Sequence, residues 1–158
     1  MRARPKVLIV EDDPDVAEAA RLALLSASVT VELVASPDGL WPALAARSLG
    51  AVVLDMNFKP GSRQGSEGLE ALKAVRDHDP TLSVVVMTAF GGVALAVEAL
   101  KQGATDFVLK PWNNDALRLA VKEAVRQTKE RRRGPVVQLE VAERLAIMQA
   151  VDAYQGNL

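Results

Sequence analysis

Acidic, hydroxyl and ammonium side chains recur in this chain at one kind of place, the end of a short apolar run. Ala51-Val52-Val53-Leu54 ends in Asp55, and Val7-Leu8-Ile9-Val10 ends in Glu11-Asp12-Asp13. Val84-Val85-Val86-Met87 ends in Thr88-Ala89, and Phe107-Val108-Leu109 ends in Lys110-Pro111. Glu11, Asp12 and Asp55, with neither Cys nor His among them, make a hard, oxygen-only donor set that selects Mg²⁺ (or Mn²⁺) over zinc. Mg²⁺ takes one or two carboxylates, keeps several waters and bridges to phosphate oxygens. A hydroxyl (Thr88) and an ammonium (Lys110) on the opposite rim suit the equatorial oxygens of a transferred phosphoryl group. A carboxylate is itself a competent phosphoryl acceptor, already ionised near pH 7. Taken singly, each residue has a plainer role as a helix cap, a satisfied strand threonine or a surface charge. Their common placement is what points to one chemistry.

Such placement needs strands that run side by side in the same direction. Four consecutive apolar residues suit a strand buried on both faces, as in a parallel sheet. In such sheets ligands bind at the carboxyl ends of the strands. Asp13-Pro14 predicts an N-cap and first turn, followed by a helix to about Ala27 on the stripe Val16, Ala19, Ala20, Ala23, Leu24. Val29 to Val34 alternates and predicts a strand nearer an edge. Leu40 to Arg47, Leu69 to Asp77 and Val93 to Gln102 read as helices, the last stopped by Gly103. Asn113, Asn114 and Asp115 open a final helix whose stripe is Leu117, Ala120, Val121, Ala124 and Val125, running into Lys129-Glu130-Arg131-Arg132-Arg133 before Gly134-Pro135. Five repeats of strand then helix predict an α/β fold with a doubly wound parallel sheet.

Composition narrows the function. The 158 residues suffice for one domain and some extra. A net charge of −1 argues against binding nucleic acid by bulk electrostatics. The absence of Cys removes disulfides and thiolate metal sites and fits a reducing cytoplasm. No apolar run approaches the ~18 residues of a membrane span. The basic start Met1-Arg2-Ala3-Arg4-Pro5 precedes only four apolar residues and is not a signal peptide.

From about Pro5 to Arg131, four fifths of the chain, the sequence resembles the receiver domain of bacterial two-component response regulators. The motifs that carry the resemblance are V-L-I-V-E-D-D-P, V-V-L-D-M-N, V-V-V-M-T-A and F-V-L-K-P, in order and at near-family spacing. The resemblance implies a flavodoxin-like five-stranded parallel sheet of order 2-1-3-4-5 with five flanking helices. It implies that Asp55 accepts a phosphoryl group from a sensor histidine kinase. Glu11 and Asp12 would hold Mg²⁺ with Asp55, and the backbone carbonyl of Asn57 would complete the protein ligands. Thr88, the backbone N–H of Ala89 and Lys110 would bind phosphoryl oxygens. Thr88 and Phe107 would be the switch pair, Phe107 turning inward, with a static core aromatic as the plain alternative. Pro111 would follow a cis peptide bond. The output would be a change on the face of the fourth helix, fifth strand and fifth helix that controls dimerisation.

Two departures stand out. The loop after Asp55 is longer than in most receivers and carries Lys59, Ser62, Arg63 and Gln64, as tolerated surface or as a partner-specific lip. Phe90 is bulky where the family varies, and is expected to shield the acyl phosphate from water. His78, at a helix end beside Asp77 and Asp79, reads as surface. Trp112 reads as a packing residue or part of an interaction face.

The sequence divides into a receiver (1–131), a linker (132–138) and a tail (139–158). In the tail Val141, Leu145, Met148 and Val151 repeat at helical spacing, and the wording is similar to the first helix of Fis-type helix-turn-helix domains. The expectation is a truncated output domain, so that DNA is contacted only by a full-length protein, with homodimerisation through this helix or the receiver face. A helix docking on its own domain is the alternative. Arg131-Arg132-Arg133 is expected to be a solvated helix end. A rival function, a phosphohydrolase with Asp55 as nucleophile, is opposed by Asn57, where such enzymes place a second acid. A constitutive, unphosphorylated interaction module is opposed by the presence of every acidic residue, Thr88 and Lys110.

Overall fold

A computed structural model of the chain describes residues 3–46, 48–56, 66–89 and 92–133. Five strands, β1 (Lys6–Val10), β2 (Thr30–Val34), β3 (Leu49–Asp55), β4 (Ser83–Ala89) and β5 (Asp106–Lys110), form one parallel sheet in the order β2-β1-β3-β4-β5. The helices are α1 (Pro14–Ala23), α2 (Leu40–Ala45), α3 (Ser66–His78), α4 (Val93–Lys101) and α5 (114–133). The expected architecture, a flavodoxin-like α/β fold of that strand order, is the one observed. The segment with Asn57, the position of Phe90 and the helix expected over 139–158 lie outside the described residues.

Strand sequence dictates the layering. β3 is buried along its whole length, as is β4 up to Thr88, which is why both read as continuous apolar runs. Period-two alternation sends Ile9, Val53 and Val85 into a core closed by Leu24, Leu117 and Val121 of the α1/α5 side. Leu8, Val52 and Val84 pack with Leu40, Leu72 and Ala99 on the other face. β2 and β5 are the edge strands, and β2 is the less covered, with Val31 and Val34 half-buried and Leu33 exposed where its alternation predicts an inward residue.

Helix ends differ from the expected ones for tertiary reasons. α1 stops at Ala23, and a 3₁₀ turn over Leu25–Ala27 leads to Ser28 in the left-handed region (φ 59°). Arg118 of α5 donates to the Ala23 carbonyl at 3.1 Å, satisfying one of the acceptors a helix end leaves open. α3 begins at Ser66, earlier than its apolar stripe suggests. At the far end, α5 is still helical at 132 and 133, where the expected linker begins. Arg132 and Arg133 are exposed, as expected of a solvated helix end, but Arg131 is half-buried and both Arg131 and Arg132 tie the helix to the turn before β4 and to β4 itself. Arg131 Nη1 donates to Ser83 Oγ at 3.0 Å, and Arg132 donates to Thr81 Oγ1 and to Asp79 Oδ2, both at 3.1 Å. One turn earlier, the buried Thr128 hydroxyl accepts from Ser83 N at 2.9 Å and donates to the Ala124 carbonyl.

Candidate functional site

The parallel sheet brings four of its strand ends to one place. Val10 is level with Leu54, so Glu11 follows beside Asp55, and Asp55 is level with Met87, one residue before Thr88. Thr88 and Ala89 lie level with Leu109 and Lys110. Two backbone bonds hold these ends together, Glu11 N to the Val34 carbonyl (3.0 Å) and Met56 N to the Met87 carbonyl (2.8 Å). Asp13 accepts from Asp15 N and Val16 N as the cap of α1, which leaves Glu11 and Asp12 to face the site.

Glu11 and Asp55 are buried, and Asp12 is half-buried. One oxygen from each lies within 4.8 Å of the others. An octahedral Mg²⁺ separates opposite oxygens by about 4 Å. The all-oxygen donor set and its spread therefore suit that cation, with small adjustments. Lys110 Nζ lies between two of these groups, 2.8 Å from Glu11 Oε2 and 3.0 Å from Asp55 Oδ1. Sequence reasoning assigned Lys110 to phosphoryl oxygens. It does not show that in this structure the ammonium is held by the carboxylates themselves.

This crowding sets the electrostatics. Burial raises Glu11, and the Asp55 charge adds to it; the Lys110 hydrogen bond opposes them, leaving a pKa of about 7. Burial works against the Lys110 charge, but its bonds to Glu11 and the field of Asp55 prevail and hold the ammonium above its usual value. Two buried carboxylates sharing one ammonium leave excess negative charge, which a divalent cation would neutralise.

Thr88 is buried at the end of β4, whereas Ala89 is exposed. Phe107 is half-buried and packs against the core on the α3/α4 side. The Lys110–Pro111 peptide bond is cis. Trp112 packs on the α1/α5 core and, with Val16, Ala19, Lys110 and Pro111, lines an open depression of about 550 Å³ beside the site. The Trp-Pro pair hints at such a surface, but its α1 half is legible only once the fold is known. His78 is exposed, with its ring edge-on to Trp41 at 6.4 Å.

The chain matches the family described as "Response regulator receiver domain" over residues 7–122. It belongs to that family. This receiver is 31% identical over 146 residues to the transcriptional regulatory protein FixJ of Bradyrhizobium diazoefficiens, covering 92% of this chain and 69% of FixJ. It is 38% identical over 112 residues to the response regulator protein FleR of Pseudomonas aeruginosa, covering 71% of this chain but 23% of FleR. Its fold is similar to the crystal structure of the N-terminal signal receiver domain of a two-component response regulator from Bacteroides fragilis. That likeness has a TM-score of 0.69 and 34% identity, and covers 77% of this chain and 97% of the other. The chain is thus a receiver domain of two-component response regulators. Among the described residues no helix is long and apolar enough to cross a membrane.

Proposed function

We propose that this receiver is a phosphorylation switch in which Asp55 takes a phosphoryl group from the phosphohistidine of a sensor histidine kinase. The observation that carries the proposal is the Lys110 ammonium bridging buried Glu11 and Asp55, with Asp12 alongside. An Asp55 carboxylate oxygen bonds to phosphorus as the phosphorus–nitrogen bond breaks, and the electron pair of that bond returns to the donor imidazole. Glu11, Asp12, Asp55 and the backbone carbonyl of Asn57 would hold Mg²⁺. When bound, Mg²⁺ neutralises charge on the transferring phosphoryl oxygens. Lys110 exchanges a carboxylate partner for a phosphoryl oxygen, and the Thr88 hydroxyl and Ala89 N–H donate to the others. Hydrolysis returns the Asp55 carboxylate and inorganic phosphate, so the protein assists its own modification without being a turnover enzyme.

The depression lined by Val16, Ala19 and Trp112 gives a donor protein an apolar footing next to the acceptor. Thr88 and Phe107 pass the change to the α4–β5–α5 face, where Val93, Val97 and Leu100 form an exposed stripe suited to a homodimer. In the arrangement we infer, residues 1–131 are the switch, 132–138 a linker and 139–158 the first helix of a Fis-type output domain. DNA binding and transcriptional control then belong to a longer, cytoplasmic protein. The test is intact-mass spectrometry after incubation with acetyl phosphate and Mg²⁺. One phosphoryl group should be added to the parent, none to Asp55→Asn, and none when the metal is chelated. No addition despite measured Mg²⁺ binding would turn the reading towards an unphosphorylated interaction module.

A further inference from the structure

Gly92, the residue that caps α4, has no evident reason to be glycine from its own backbone. Its φ of −89° and ψ of 24° lie near the bridge region and outside the left-handed one, so the backbone does not require glycine. Gly103, at φ +103°, is the contrasting case where the backbone does require glycine. Capping does not call for glycine either, since no side-chain cap bond is made there and Ser, Asn or Asp caps as well or better. What explains it is a neighbour. A Cβ built on Gly92 would stand 2.1 Å from Thr88 Oγ1, 3.0 Å from the Ala89 carbonyl oxygen and 3.2 Å from Thr88 Cβ. The Thr88 hydroxyl occupies the place of the missing side chain.

We propose that Gly92 is a positioning residue, the seat that holds the Thr88 hydroxyl in the resting state. The inference rests on the switch reading of Thr88 given above. Threonine Cβ carries a hydroxyl, a methyl and a hydrogen in three staggered directions. Only the hydrogen can face a Cβ at position 92. Filling the seat therefore leaves Thr88 one rotamer, with its hydroxyl where its methyl now lies. Gly92→Ala should vacate the seat without a phosphoryl group, shifting the population of a state that otherwise must be recruited by binding.

Two readouts test this in the whole chain. The first is the Thr88 methyl carbon shift by NMR, which follows the side-chain rotamer and needs no phosphoryl donor. It should differ between Gly92→Ala and the parent under the same phosphoryl-free conditions. The second is affinity for beryllium trifluoride with Mg²⁺, as a phosphoryl analogue. It should tighten by roughly three- to tenfold in Gly92→Ala, because the competent rotamer no longer has to be recruited. In a Thr88→Ala background the same substitution should change the affinity by less than about twofold, since the atom it displaces is gone. An equal effect in both backgrounds, or an unmoved methyl signal, overturns the seat. Should Gly92→Ala not fold, Thr88→Ala/Gly92→Ala should; failure of both would make the Ala89 carbonyl the obstacle and overturn it too. A parent that binds no analogue at all defeats the switch reading, while the methyl signal still decides the seat.

Discussion

Lys110 holds the site together before any ligand arrives, because its ammonium is the counter-charge for two buried carboxylates. Lys110→Ala should cost the metal-free protein about 3 kcal/mol, the low end for stranding a buried charge. The loss is held there because Glu11, with a pKa of about 7, can take up a proton. Urea unfolding in chelator measures it. Saturating Mg²⁺ should recover much of the deficit, since at a hundred times its Kd a ligand adds about 2.7 kcal/mol. An undiminished stability without metal would mean the carboxylates are not in conflict. At this scale the sequence was informative about identity and silent about pairing. Glu11, Asp12, Asp55, Thr88 and Lys110 announce themselves by ending apolar runs. That the ammonium bonds the carboxylates depends on strands whose ends lie 99 and 55 residues apart in sequence. Gly92 left no trace at all, because its meaning lies in a contact and not in its backbone angle.

Elements were legible wherever burial made a pattern, and less so where their ends depend on other elements. β1, β3 and β4 are apolar runs because both faces are covered, and β2 alternates because it is an edge. The end of α1 was misplaced because Arg118, far along the chain, supplies a partner for its last turn. α5 runs through Arg131-Arg132-Arg133 as its sequence predicts, but the ties that hold it there were not legible. Asp79, in the turn between α3 and β4, ties α5 down. Burial pushes its carboxyl up, but bonds from Thr81 and Arg132 outweigh this and hold it below the usual 3.8. An acid with a depressed folded pKa contributes stability above its unfolded value and loses it as the pH falls through the folded one. Asp79→Asn should therefore destabilise by about 1 kcal/mol at neutral pH. The gap to the parent should narrow as the pH drops below 3.8. Thermal melts across that range check the sign; a gap that widens in acid would contradict it.

The described residues form two cores divided by one sheet. Leu72 of α3 belongs to one and Val121 of α5 to the other, both fully buried. Leu72→Ala should cost about 2–5 kcal/mol, and Val121→Ala somewhat less for its smaller side chain. With the sheet between them the two share no contacts, so the double variant should equal the sum within about 0.5 kcal/mol. Denaturant midpoints with unchanged slopes are the measure, and strong coupling would mean the sheet relays packing changes between its faces. The site sits at the seam where both layers end, which places it within reach of either. α5 has one further property. Asn113 caps its start, three residues after Lys110, and Arg131 and Arg132 bolt it to β4 and the turn before that strand. Its 20 described residues span about 30 Å. A beam tied to α1 near its start through Arg118 and to β4 through Arg131 cannot absorb a push at one tie by fraying at the other. Movement near Lys110 must either be refused or delivered, as a tilt of the whole rod, to whatever is fastened beyond residue 133.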